Sequence, residues 1–219
     1  MGDLDWLKHW SRLSPAAAAI HDADGGPSYT YSELFFLSNR LAHHLRERYG
    51  VRAGDRVAML ATNETEAVPL FFACLRLGAM LVPVNYRLTE REVRHILEDC
   101  TPSALFIQTS ARDKLGPLNT AAPSPNVVPF EDLQALLSKE LSFFRTERPF
   151  SRSSFYSGIP HGWELPIQAT ASTPCMILYT SGTSGAPKGA LITPNMLHWY
   201  SLNTTMRLNI SQHDIFGCF

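Results

Sequence analysis

Leu34, Leu37, Leu41 and Leu45 recur at the spacing of one helical face. Thr30-Tyr31-Ser32-Glu33 stands directly ahead of them. It has the form of a capping box, in which a Thr and a Glu side chain each satisfy the other's backbone donor. Gly50 is placed to end that helix. Gly54-Asp55 turns the chain, and residues 56–60 read as a short buried strand. Asn63 and Glu66 open a second helix that runs to about Leu77, with Gly78 after it. Pro69 inside this run should bend its first turns or delay its start. Residues 79–84 give a second strand, and Thr89-Glu90-Arg91-Glu92 is another capping box, opening a helix through Val93, Ile96 and Leu97. Residues 104–108 give a third strand.

Beyond this point the pattern weakens. Residues 109–129 are rich in Pro, Ala and Ser and read as loop, and residues 131–140 read as helix. Residues 141–173 mix Ser, Arg, Phe, Pro and Gly with no sustained period, so an irregular or inserted segment is expected there. Residues 175–179 are again a strand and residues 190–192 are apolar. Thr193-Pro194 then looks like an N-cap followed by Pro at the first helical position. Strand–helix alternation without internal repeats predicts an α/β fold: a layered, mainly parallel sheet with flanking helices.

Composition narrows the function classes. The chain has 219 residues, 45% of them hydrophobic, and a formal net charge of -1. That is the profile of an ordinary globular protein, and it lacks the basic stripe of a nucleic-acid binder. Residues 67–84 are apolar enough to raise the question of a membrane span. Arg76, Gly78, Pro69 and Pro83 interrupt them, so a helix followed by a strand is expected and no transmembrane segment. The start, Met1-Gly2-Asp3-Leu4-Asp5-Trp6, has no basic region ahead of an apolar run, so the expected location is cytoplasmic. Cys74, Cys100, Cys175 and Cys218 form no CxxC pair, and inert thiols are expected. The histidines show no metal-binding spacing, so no metal site is assigned, and His43-His44 is placed on the surface.

The chemistry lies between the last two strands. There the chain reads Thr180-Ser181-Gly182-Thr183-Ser184-Gly185-Ala186-Pro187-Lys188-Gly189. Gly182 and Gly185 let the backbone approach a ligand closely. Successive backbone N–H groups in such a turn make an anion-binding nest. Ser181, Thr183 and Ser184 add hydroxyl donors, Lys188 adds a full positive charge, and Pro187 limits freedom just before it. The whole suits polyphosphate. The Walker pattern fails, because Pro187 precedes Lys188 and Gly189 follows it. The nucleophile elbow fails, because Gly185 follows Ser184 directly and Ala186 takes the last position. A plain Ser/Gly/Thr hairpin turn would account for residues 181–185 alone, but not for the Pro-Lys-Gly that follows.

Residues 179–189 resemble the signature loop of the adenylate-forming superfamily, which includes acyl-CoA synthetases, peptide-synthetase adenylation domains and luciferases. The family form is YTSGTTGxPKG, and Ser184 replaces the second Thr with its hydroxyl kept. Tyr29-Thr30-Tyr31-Ser32-Glu33-Leu34 is similar to the family's N-terminal block. Residues 75–88, with Gly78-Ala79, Pro83 and Asn85-Tyr86-Arg87-Leu88, are similar to a second block, in the form seen in fatty-acyl and aryl CoA ligases. One departure is Pro194, where many members carry a His soon after the loop.

The resemblance implies an ATP-dependent acid–thiol ligase. A carboxylic acid would be activated to an acyl-adenylate and passed to coenzyme A, with Mg2+ sharing the phosphate charge. It assigns Thr180, Ser181, Gly182, Thr183, Ser184, Gly185, Pro187, Lys188 and Gly189 to the ATP phosphates. It also implies that residues 1–219 are the N-terminal part of the larger domain, incomplete at the C-terminal end. The acyl pocket, the magnesium-holding Glu and the mobile C-terminal domain with its catalytic Lys would lie beyond Phe219. No catalytic residue is therefore assigned, and this chain by itself is expected to be inactive. A non-catalytic fragment that binds nucleotide or a partner is the alternative.

Overall fold

A computed structural model describes residues 4–116, 125–147, 163–180, 186–211 and 214–217. The first element is α1 (Trp6–Leu13), capped by Asp5, whose carboxylate accepts from the Lys8 amide at 3.1 Å. A two-stranded antiparallel ribbon of β1 (Ala18–Ile20) and β2 (Tyr29–Thr30) leads into α2 (Tyr31–Arg48). The Thr30–Glu33 capping box is formed in both directions, and the Tyr49 cap is followed by Gly50 at φ +69°. The main sheet then begins with β3 (Arg56–Ala61), α3 (Ala67–Leu77) and β4 (Met80–Asn85). It continues through α4 (Glu90–Cys100), opened by the second capping box, to β5 (Ala104–Ile107). Pro69 is the third residue of α3, within the first turn, where a missing N–H leaves no helical bond unmade.

Residues 109–129 depart from the expected loop. They hold a 3-10 turn (Thr109–Leu115) and an edge strand, β6 (Asn126–Pro129), which pairs in parallel with β5 from Ala104↔Asn126 to Ile107↔Pro129. Four residues are too few for an alternation to register, and Pro129 reads as a breaker although a sheet edge tolerates it. The next helix, α5 (Phe130–Glu147), is also longer than its periodic stretch. Residues 141–147 were expected to open the irregular segment, and they are its last turns. Leu141 and Phe144 are buried there, with the Phe144 ring 4.7 Å from that of Phe36.

Residues 163–173 carry neither helix nor strand but are tied to α2 and α3. The Trp163 ring stacks on Phe36 at 5.2 Å, and the Leu165 amide donates to Asn39 Oδ1 at 2.9 Å. His43 is half-buried rather than on the surface, because its Nε2 donates to the Trp163 carbonyl at 2.9 Å. His44 is also half-buried, and burial lowers its pKa. The chain closes with β7 (Met176–Thr180), β8 (Lys188–Ile192) and α6 (Pro194–Leu208), the last capped by Thr193 with Pro194 at its first position.

Among the described residues the main sheet has six strands in the order β6-β5-β3-β4-β7-β8, parallel except for β8. Alternate residues of the central strands enter two cores. Val57, Met59, Ala104 and Phe106 meet α2, α3 and α5 on one face. Ala58, Leu60, Val82, Val84, Leu105 and Ile107 meet α4 and the 3-10 turn on the other. Burial on both faces explains why these strands are apolar runs. No helix among the described residues is long and apolar enough to cross a membrane.

Cys74, Cys100 and Cys175 are buried free thiols. Burial pushes Cys100 up to about 12 and Cys175 up to about 11, and raises Cys74 as well. Thiolate is the reactive form, so at pH 8 the native protein should leave these three unlabelled by iodoacetamide. Labelling of all three in guanidinium, read by peptide mass spectrometry, is the matching expectation. Modification of any of them in the native protein would contradict this packing.

Candidate functional site

β4 and β7 are parallel neighbours with Leu81 beside Met176. Following both strands to their ends brings Asn85 alongside Thr180. The hairpin joining β7 to β8 therefore leaves the sheet at the carboxyl end of the parallel strands, the end at which sheets of this class receive ligands. Its register runs from Met176↔Ile192 to Thr180↔Lys188, the last pair before residues 181–187. Thr180, Pro187, Lys188 and Gly189 are thus brought together at the hairpin's mouth. Ser181, Gly182, Thr183, Ser184 and Gly185 lie outside the described residues.

Lys188 is exposed and belongs to none of the ion pairs among the described residues. Arg87, in the turn after β4 at the same end of the sheet, is likewise exposed and outside those pairs. Its guanidinium lies over the Tyr86 ring at 5.4 Å, and its amide donates to Asn85 Oδ1 at 2.9 Å. Two exposed cations outside the ion pairs of the described residues are charges of the sign an anion would meet.

Gly189 has a packing reason. A Cβ there would lie 2.8 Å from Ile177 Cγ2 and 3.1 Å from Tyr179 Cζ, because the Tyr179 ring covers its cross-strand partner. The Tyr179 hydroxyl donates to Asp99 of α4. Burial raises the pKa of this phenol and the bond to Asp99 raises it further, so it remains a donor through the neutral range. On the same helix, His95 Nε2 donates to the Pro187 carbonyl at 3.3 Å. Sequence reading missed Asp99 and His95, because nothing local in α4 marks them.

The sheet has a second crevice, at the carboxyl ends of β3 and β5, whose connections leave to opposite faces. Its own side chains bridge it. Gln108 Nε2 donates to Thr62 Oγ1 at 3.0 Å and to Glu64 Oε1 at 2.7 Å, while the Thr62 amide donates to Gln108 Oε1 at 3.0 Å. The hairpin mouth is the stronger candidate.

Residues 7–219 match the family of AMP-binding enzymes. The chain belongs to the AMP-binding enzyme family. Among curated relatives, it is 32% identical over 211 residues to the indoleacetate–CoA ligase of Aromatoleum aromaticum, covering 96% of this chain and 38% of that one. It is 30% identical over 224 residues to the medium-chain fatty-acid–CoA ligase of Escherichia coli, covering 98% and 37%. The chain thus spans under two-fifths of the length of either relative. A fatty acyl CoA synthetase of Mycobacterium tuberculosis superposes with a TM-score of 0.69 at 26% identity, over 91% of this chain and 37% of that one. VinN in complex with 3-methylaspartate shares the fold, with a TM-score of 0.76 at 21% identity over 97% and 53%. For this AMP-binding chain, the mainly parallel sheet and the flanking helices are the family's architecture.

Proposed function

We propose that this chain supplies the ATP-phosphate grip of an ATP-dependent acid–thiol ligase. The observation that carries the reading is the 179–189 hairpin, closed by the Thr180↔Lys188 pair with the Lys188 ammonium exposed at its mouth. In the reaction, a carboxylate oxygen attacks the α-phosphorus of ATP and pyrophosphate departs. The acyl-adenylate then gives its acyl group to the thiol of coenzyme A and releases AMP. The hairpin's part is to hold the β- and γ-phosphates, through backbone N–H groups, hydroxyls and Lys188, while charge moves onto the leaving pyrophosphate. Positioning and neutralisation of this kind are the main source of rate in phosphoryl chemistry. Mg2+, when bound with the nucleotide, would share that negative charge. What supports polyphosphate is that Lys188 and Arg87, both exposed at this end, stand outside the ion pairs among the described residues.

The 219 residues on their own are proposed to grip nucleotide without completing the reaction. β8 and α6 leave Leu191, Trp199, Tyr200 and Met206 exposed, an apolar face that the rest of the ligase would cover. The deciding experiment is ATP–pyrophosphate exchange by the full-length protein with a panel of aliphatic and aryl acids. Label should pass from pyrophosphate into ATP only when a suitable acid is present. Exchange with none of the acids would remove acid activation and leave nucleotide binding or partner binding as the reading.

A further inference from the structure

We propose that Asp99 and His95 of α4 are positioning residues for the phosphate loop, fixing its two ends through Tyr179 and the Pro187 carbonyl. This rests on the reading that the loop holds the phosphates of ATP. Residues 181–187 link the two strands of one antiparallel pair, and ordering any such link on binding costs entropy unless its ends are held beforehand. The structure offers two external contacts, one at each end. At the entry, the Tyr179 ring lies over Gly189 and its hydroxyl reaches Asp99. At the exit, Pro187 accepts from His95 one residue before Lys188, so the direction in which the lysine leaves the loop is set at its carbonyl.

Both contacts come from one rigid support. His95 and Asp99 stand four residues apart and so share a face of α4. Val93, Ile96, Leu97 and Cys100 of the same helix are buried against the sheet. The helix is fastened at its start by the Thr89–Glu92 box and at its end by Arg56, which donates to the Thr101 carbonyl at 2.9 Å. The role of Gly189 follows from this. A Cβ at Gly189 would stand 2.8 Å from Ile177 Cγ2 and 3.1 Å from Tyr179 Cζ, so a side chain there would press on the ring whose hydroxyl meets Asp99.

Hydrogen–deuterium exchange on the 219-residue chain, comparing wild type with Tyr179→Phe, Asp99→Ala, Asp99→Asn and His95→Ala, tests the brace without any appeal to activity. Amides of residues 180–190 should exchange faster in Tyr179→Phe and Asp99→Ala, and less so in His95→Ala, while those of β3 and β5 are unchanged. Asp99→Asn, which keeps an acceptor, should stay close to wild type. In the full-length ligase, the same losses should raise KM for MgATP about tenfold, the worth of one well-placed hydrogen bond. KM for the acid should not move. Unchanged loop exchange in both Tyr179→Phe and Asp99→Ala would overturn the brace, as would faster exchange spread evenly over the sheet. If the full-length protein exchanges pyrophosphate with no acid, the ligase reading fails, and the loop amides still decide whether α4 holds the hairpin.

Discussion

Replacing Arg76 with alanine is expected to cost about 3–5 kcal/mol of unfolding free energy, the range found when one partner of a buried ion pair is removed. Arg76 lies on α3 with its side chain fully buried. Its guanidinium makes a two-point contact with Asp5, Nη1 to Oδ2 at 2.8 Å and Nη2 to Oδ1 at 2.9 Å. Nη1 also donates to the Leu165 carbonyl at 2.8 Å and Nε to Ser38 Oγ at 3.2 Å, and the group sits 4.9 Å from the Phe35 ring centre. One side chain therefore joins the cap of α1, the middle of α2 and the segment after residue 163. Truncation would take from the buried Asp5 carboxylate its two-point guanidinium contact and from the Leu165 carbonyl the donor at 2.8 Å. Domains of ordinary stability hold about 5–15 kcal/mol in total, so the loss would populate unfolded chains visibly.

Urea titration followed by tryptophan fluorescence is the measurement. The control is the double substitution Arg76→Met with Asp5→Asn, which removes both charges and keeps a side-chain acceptor for the α1 cap. It should lose markedly less than Arg76→Ala alone, because neither buried charge is then present. A loss under about 1 kcal/mol for Arg76→Ala would mean that water reaches Asp5 and that the pair acts like a surface one.

The chemistry that sequence reading found was local, and what it missed was not. Both capping boxes were legible because their partners stand three residues apart. β3, β4 and β5 were legible because burial on both faces makes each an apolar run. β6 exists only because β5 offers a row of backbone partners, and its own four residues carry no period. The last turns of α5 depend on Phe144 finding Phe36, far earlier in the chain. Arg76 read as an interruption in an apolar stretch, since nothing near it in sequence points to Asp5, 71 residues away.

The candidate site follows the same division. Its loop composition reads as an anion nest, and what the structure adds is the pairing of Thr180 with Lys188 on either side of it. The support from α4 was not legible, because Asp99 and Tyr179 are separated by 80 residues and nothing within α4 marks Asp99 as a partner of Tyr179.

If the full-length protein has the proposed ligase activity, Lys188→Ala is expected to lower kcat/KM for ATP in pyrophosphate exchange by about 10²-fold, the scale seen when one preorganised donor to a developing anion is removed. The unfolding transition should not move. Lys188 is exposed and makes no ion pair among the described residues, and substitutions at such positions change stability by about 0.5 kcal/mol or less. Where the lysine acts can be read from the ligand series. If it meets the β- and γ-phosphates, ATP and pyrophosphate should both bind more weakly to the variant, while AMP, which lacks those phosphates, should bind as before. Lys188→Arg keeps the charge but changes a compact ammonium into a planar fork, so it should recover part of the activity and not all of it. Turnover at the wild-type level in Lys188→Ala would remove the lysine from the grip. Equal weakening of AMP and ATP would move it from the leaving phosphates to the adenylate. A fall in activity together with a lower melting temperature would make its role structural, and the antiparallel pair Thr180↔Lys188 would then be the element at fault.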